Sequence, residues 1–400
     1  MTSLKTRLPQ IGSAPLSSAS LADGDRIRQF SMAITATVDH VCNRTGAAPS
    51  DIRVLHVGGG GFGALPLASI KAGATVMVVD PDERVCKEVH ANCASVAAEG
   101  QLTIERVHSM RHVSDHKYDL VVGDAFGATI TDKGFFACAY DLRARNMLRV
   151  HAEFDAEPLF IPSEATMLLT VYHCPALSVR NWAMHMNKYS GSLLMHMSIP
   201  PKDGETKPLA STNTVQLKFQ ADRGPSGIRF GKDVCTPVCA SVCVATARFG
   251  SKEEALVRED GGVIRIDVSQ LEAAHHMSPA HSHLALLEWG LELIPFPEHE
   301  RRGVAAQVTM VGNAINLMTP ISAADKLARW ACWGHAYTPM SATVDPTVPL
   351  RVATAFKTNG DVAVSLTPVE DGDDSTEVIE STPFPEAKMT KLCEKMFLAC

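Results

Sequence analysis

No run in this chain reaches the length of a membrane span, and the opening MTSLKTRLPQIGSAPLSSASL has no apolar core of the kind a secretory signal needs. The expectation is a protein of the cytoplasm, with the nucleus as the alternative compartment. Basic residues are not in excess. Lys and Arg number 37 against 44 Asp and Glu, a formal net charge of −7, so a broad nucleic-acid surface is not implied. Glycine (27) and proline (23) stay near background, which excludes a collagen-like or linker-dominated chain. The 11 cysteines are scattered without a C-x-x-C pair and read as reduced thiols rather than a disulfide framework. What is present is 46% hydrophobic and 20% charged residues over 400 positions, enough for one large domain or two.

Residues 1–24 are rich in Ser, Pro and Ala and read as a mobile tail. Ile27, Phe30, Ile34, Val38 and Val41 recur at helical spacing and predict a helix over about 25–45. From 53 to about 170, short apolar runs (VLHV, VMVV, LTIERV, YDLVV) alternate with helical stretches (PLASIKAG, ERVCKEVHANCASVAAEG). That succession predicts buried parallel strands with crossover helices, an open α/β sheet. After Thr170 the runs TVQLKFQAD, GGVIRIDV, LELIPF, AAQVTMV, LRVATAFK and DVAVSLTPVE are β-rich and separated by Gly, Pro and Asp, which predicts an antiparallel β domain over 171–400. A Met- and aromatic-rich stretch at about 175–212 interrupts it, and the acidic run 369–381 reads as a solvated loop.

The sharpest motif is V-G-G-G-G-F-G-A-L at 57–65, directly after a strand. Glycines there let a backbone approach a ligand, and the helix that follows presents its positive end. Asp80 closes the second strand about 20 residues on, where an acid commonly holds ribose hydroxyls, so the pair points to an adenosine-type ligand. The frame is ambiguous. Gly58, Gly60 and Gly63 fit the dinucleotide spacing, whereas Gly59, Gly61 and Gly63 fit the spacing of S-adenosylmethionine-dependent methyltransferases. The acid that many methyltransferases carry two residues before the first glycine is His56 or Val57 here, and Phe62 stands inside the loop. A tight strand-to-helix turn without a ligand is the competing reading.

From Ile52 to Val171 the chain resembles a protein arginine methyltransferase. The landmarks come in order: GGGFG, KAGA at 71–74, Asp80, YDLVV, then G-D-A-F-G-A-T-I-T-D-K-G at 123–134 where the family has S-E-x-x-G, a helix, and LFIPSEATMLLTVY at 159–172. The resemblance implies a Rossmann-like methyltransferase domain over 25–170, followed by an antiparallel β-barrel-like domain with a dimerisation arm inserted at about 175–212. ADKLARWACWGHAY at 324–337 resembles the family's T-H-W loop.

Several positions depart from the family. Its two glutamates, which grip the substrate guanidinium, fall on Asp124, one carbon shorter, and on Lys133, a cation. Two unit charges ~4 Å apart repel by about 4 kcal/mol at an effective dielectric of 20. The T-H-W histidine is Arg329, and the N-terminal Y-F-x-x-Y motif is missing because the first tyrosine is Tyr118. The resemblance therefore implies a catalytically silent member, similar to the prozyme paralogues of trypanosomatid parasites, which assemble with an active arginine methyltransferase. Gly59, Gly61, Gly63 and Asp80 are then vestigial cofactor positions, and S-adenosylmethionine is expected in the active partner rather than here. Trp182, Met184, Met186, Tyr189 and Leu194 are the expected interface of a heterodimer or heterotetramer.

An active arginine methyltransferase with an atypical site is the alternative. A spermidine synthase-type aminopropyltransferase, with Asp124 as base, fits less of the chain, because the long β-rich second half has no place in it. A nicotinamide dehydrogenase lacks a catalytic pair. His275, His276, His281 and His283 read as a polar loop rather than a metal site, and Cys235, Cys239 and Cys243 read as core.

Overall fold

The structure, a computed structural model, describes residues 23–107, 116–127, 129–131, 134–150, 158–173, 215–219, 236–251, 255–266, 283–296, 310–312, 336–339, 348–356, 362–369 and 380–383. Lys133, Arg329, Cys235, His275, His276, His281 and the segment 175–212 with its five interface candidates lie outside those residues.

Helix α1 (Gly24–Thr45) starts where the Asp23 carboxylate accepts from the Arg26 N–H and stops where Gly46 turns left-handed, its N–H donating to the Cys42 carbonyl. The predicted apolar stripe is its buried face: Phe30, Ile34, Val38 and Val41. The α/β alternation follows: β1 (Arg53–Val57), α2 (Gly60–Lys71), β2 (Thr75–Asp80), α3 (Glu83–Cys93), β3 (Leu102–Arg106), β4 (Leu120–Gly123), α4 (Phe135–Ala144) and β5 (Leu159–Ile161). Each strand pairs in parallel with its neighbour, in the order β3-β2-β1-β4-β5. The order reverses at β1, so β1 and β4 open a crevice at their carboxyl ends, and the glycine-rich turn, Asp80 and Asp124 all sit at that edge.

The remaining described strands are antiparallel. β6 (Glu164–His173) pairs with β12 (His283–Glu292) over ten residues, Glu164 opposite Glu292 and His173 opposite His283. These two lie inside an eight-stranded sheet with β8 (Thr236–Pro237), β9 (Val242–Arg248), β10 (Val257–Asp260), β13 (Met310–Gly312), β14 (Ala336–Pro339) and β17 (Glu380–Pro383). A four-stranded sheet joins β7 (Val215–Phe219), β11 (Val263–Ile264), β15 (Leu350–Phe356) and β16 (Val362–Pro368). Among the described residues these sheets do not close into a barrel. Two expectations are corrected. Glu380 and Ser381, read as solvated loop, belong to β17 and pair with Asp260 and Glu259 of β10. Cys243 is partly exposed rather than core, while Cys239 packs against the core and its sulfur accepts from the Val171 N–H at 3.2 Å.

One apolar core runs from α1 and the parallel sheet into the antiparallel strands. A smaller one, with Ile70, Val76, Val78, Val85, Val89 and Cys93, fills the face under α2 and α3. The junction of the parallel and antiparallel sheets is aromatic. Phe126, just after β4, stands 5.4 Å from Trp289 of β12 and 5.3 Å from Phe135 of α4, and Phe135 stands 5.1 Å from Phe249. Among the described residues no helix is long and apolar enough to cross a membrane.

Candidate functional site at the carboxyl edge of the parallel sheet

Gly60, Gly61, Phe62 and Gly63 have φ values of 43°, 58°, 57° and 96°, a left-handed turn set between β1 and the body of α2. Phe62 is the one side-chain-bearing residue in it, and such a residue costs roughly 1–2 kcal/mol in that region.

The glycines face protein. A Cβ on Gly59 would lie 2.0 Å from a Val85 methyl, and one on Gly63 would lie 3.2 Å from the Cys93 sulfur and 3.3 Å from the Val89 backbone. On Gly61 it would lie 3.5 Å from both the Arg26 guanidinium and the Ile27 side chain. Close packing of α3 onto the turn therefore accounts for Gly59 and Gly63, and the positive φ accounts for Gly61, where a Cβ would meet α1 only at ordinary contact distance. Asn92 adds to this by donating to the Phe62 carbonyl at 2.8 Å.

Asp80 is fully buried, and both its oxygens are engaged. One accepts from the Gly59 N–H at 2.9 Å and the other from the Asp82 N–H at 2.8 Å, so the carboxylate ties the glycine turn to the start of α3. Burial pushes its pKa up to about 6 in spite of those two donors. His56, in β1, is also buried, with Nε2 2.8 Å from the Ser69 hydroxyl of α2, and burial drives its pKa down to about 3.

The two shifts have opposite signs in stability. The unfolded chain protonates His56 near 6.5 and the native state only near 3, so this group's contribution falls as pH drops below 6.5, by ~1.4 kcal/mol per unit. Native Asp80 takes its proton near 6 and the unfolded chain near 3.8, so its contribution rises as pH falls through that interval. Between about pH 4 and 6 the slopes cancel. His56→Gln is expected to remove the first slope, so that on acidification from pH 6 to pH 4 the variant's stability rises relative to that of the parent chain, read as the urea midpoint. A variant profile parallel to that of the parent chain contradicts the assignment.

At the end of β4, a Cβ on Gly123 would lie 2.3 Å from the Phe135 ring, so only glycine lets α4 pack there. The next residue, Asp124, is 4% exposed and pairs directly with the guanidinium of Arg26, which is 1% exposed and 98 positions earlier in the chain. The Arg26 Nε lies 3.7 Å from the Asp23 carboxylate. One guanidinium thus stands between two carboxylates, beside the glycine turn.

The structure therefore brings Gly59, Gly61, Gly63, Asp80 and Asp124 to one edge. Reasoning from the sequence missed Arg26, which sits on the buried face of α1 where an apolar residue belongs; that misfit was the available signal. It also missed Glu288 in β12, a buried carboxylate that accepts from the Tyr172 hydroxyl at 2.9 and 3.0 Å and raises its pKa further above the value burial already gives. Its signal was an acid inside the apolar run LALLEWGL. Among the described residues no group of three or more His, Cys, Asp or Glu could hold a metal.

No protein-family model matches the chain, and no curated protein matches it in sequence. Solved structures do. A chain of the Trypanosoma brucei PRMT1 enzyme–prozyme heterotetrameric complex with AdoHcy superposes with a TM-score of 0.50 at 14% identity, covering 91% of this chain and 96% of that one. Arabidopsis thaliana protein arginine methyltransferase 10 gives 0.49 at 15% identity, covering 91% and 95%. At 14% identity the first likeness shows the fold alone: the chain has a protein arginine methyltransferase-like fold, a Rossmann-like methyltransferase domain joined to antiparallel β-sheets.

Proposed function

We propose that this chain is a non-catalytic, arginine methyltransferase-like subunit that associates with an active protein arginine methyltransferase and stabilises or activates it. The observation that carries the reading is the glycine turn and its acid. Both Asp80 oxygens accept from backbone N–H groups, and Val85 and Cys93 pack against Gly59 and Gly63. These contacts support a chain that leaves S-adenosylmethionine to its partner; the compartment proposed is the cytoplasm. The degenerate positions read from the sequence, Asp124, Lys133 and Arg329, support the same reading, and so does a fold shared with an enzyme–prozyme heterotetramer. The partner surface proposed is the segment 175–212, on the strength of Trp182, Met184, Met186, Tyr189 and Leu194.

The test is co-expression with arginine methyltransferases of the same organism, followed by size-exclusion chromatography and transfer of labelled methyl groups to an arginine-rich peptide. The purified chain is expected to transfer none, to co-elute with one active enzyme, and to raise that enzyme's rate. Transfer by the chain alone would instead establish the active, atypical enzyme. Elution without a partner would remove the regulatory reading.

A further inference from the structure

Asp80 closes β2 with no exposed surface, and its carboxylate spans two elements. One oxygen accepts from the Gly59 N–H of the glycine turn and the other from the Asp82 N–H at the cap of α3. Both donors are neutral amides, which stabilise an anion without cancelling its charge. The charged groups around it are engaged with one another. Asp82 caps α3 and pairs with Arg84. Arg106, opposite Asp80 in β3, turns to the Pro81 carbonyl and to Glu83, which also pairs with Lys87. Asp124, after β4, pairs with Arg26 of α1. His56 of β1 is buried and neutral, and the Cys86 thiol of α3 donates to the Asp80 carbonyl at 3.6 Å. Asp82 and Asp124 are both near enough to repel a negative Asp80, which adds to the cost of its burial. An anion so placed gains by taking up a proton or by meeting water.

We propose that Asp80 is a proton-gated clasp: the protonated carboxyl leaves α3 closed on the glycine turn, and loss of the proton lets water in and parts the turn from the start of α3. The direction follows from linkage. The closed form binds the proton at about pH 6 and an opened, hydrated carboxyl near 3.8, so acid favours the closed form and a rise in pH through 6 favours the open one. The packing decides what parts. A Cβ on Gly59 would lie only 2.0 Å from a Val85 methyl, so α3 cannot lift without freeing the turn. This goes beyond the proposed function, since it concerns the chain alone and holds whether or not a partner is activated.

The test is amide hydrogen exchange of the full-length chain between pH 5 and 7.5, read by mass spectrometry as protection relative to the intrinsic rate at each pH. Protection at 58–63 and 82–86 is expected to fall about tenfold from pH 5 to 7.5, as a carboxyl that titrates at about 6 when closed and near 3.8 when open requires. The strand segment 285–291 is expected to lose none. Global unfolding also exposes His56, whose titration makes the whole fold firmer as pH rises through 6.5, so it moves the other way. Asp80→Asn, neutral at every pH, is expected to give a flat profile at 58–63. A parent profile that is flat or rises with pH overturns the clasp, as does an Asp80→Asn profile with the parent's slope. Parallel loss of protection at 285–291 assigns the effect to whole-molecule unfolding and overturns it too. The parent profile needs no variant, so the result does not depend on how well Asp80→Asn folds.

Discussion

Asp124→Ala is expected to destabilise the fold by about 3–5 kcal/mol, far more than the loss of one surface ion pair. The cause is the cation left behind. Arg26 is almost fully buried, and without its directly paired carboxylate its charge is poorly compensated or pulls the first turn of α1 into water. Arg26→Ala carries a cost of the same order for the mirror reason. Removing both charges together, as Arg26→Leu/Asp124→Leu, is expected to cost much less than the sum, because apolar groups of similar volume can fill the space without a desolvation penalty. Urea unfolding of the two single variants and the double variant measures the coupling. Costs that simply add would show that the two side chains do not sense each other.

Trp289→Ala is the second large effect, also about 3–5 kcal/mol. Trp289 has no exposed surface, and it packs on Phe126 where the loop after β4 meets β12. Its loss empties the junction between the parallel and antiparallel sheets, and Phe126 and Phe249 cannot collapse into the gap without dragging that loop. A cycle with Phe126→Ala is expected to show a coupling of about 0.5–1.5 kcal/mol. Additive costs would mean that the two rings only fill adjacent space. The loop that Phe126 anchors also carries Asp124, so Trp289→Ala is expected to speed hydrogen exchange at 124–127 ahead of global unfolding.

Four strands of the parallel sheet were legible, β1, β2 and β4 as short apolar runs and β3 as an alternating one, and α1 was legible because its apolar residues recur at three and four positions. The antiparallel runs were legible as strands, but their pairing was not. The registers of β6 with β12 and of β10 with β17 depend on partners more than a hundred residues away, which leave no local trace. Glu380 and Ser381 show the difference: an acidic stretch reads as loop until a distant strand takes it as an edge. In the candidate site the glycines and Asp80 stood out because they mark a strand-to-helix turn followed by an acid. Their neighbours, Val85 and Cys93 of α3 and the N–H groups of Gly59 and Asp82, were out of reach of spacing arguments. Arg26 and Asp124, 98 residues apart, could be seen one at a time but not as a pair.

Helix α1 touches both halves of the molecule. Near its start Arg26 grips the end of β4, and near its finish His40 stacks on Phe296, just past β12, with ring centroids 4.2 Å apart and planes 16° from parallel. A rod fixed at two points behaves as a tie-bar, here running beside the core that joins the two sheets. Some 20 Å of helix, at ~1.5 Å per residue, thus braces the antiparallel strands against the loop that holds Asp124, in parallel with the Phe126–Trp289 contact.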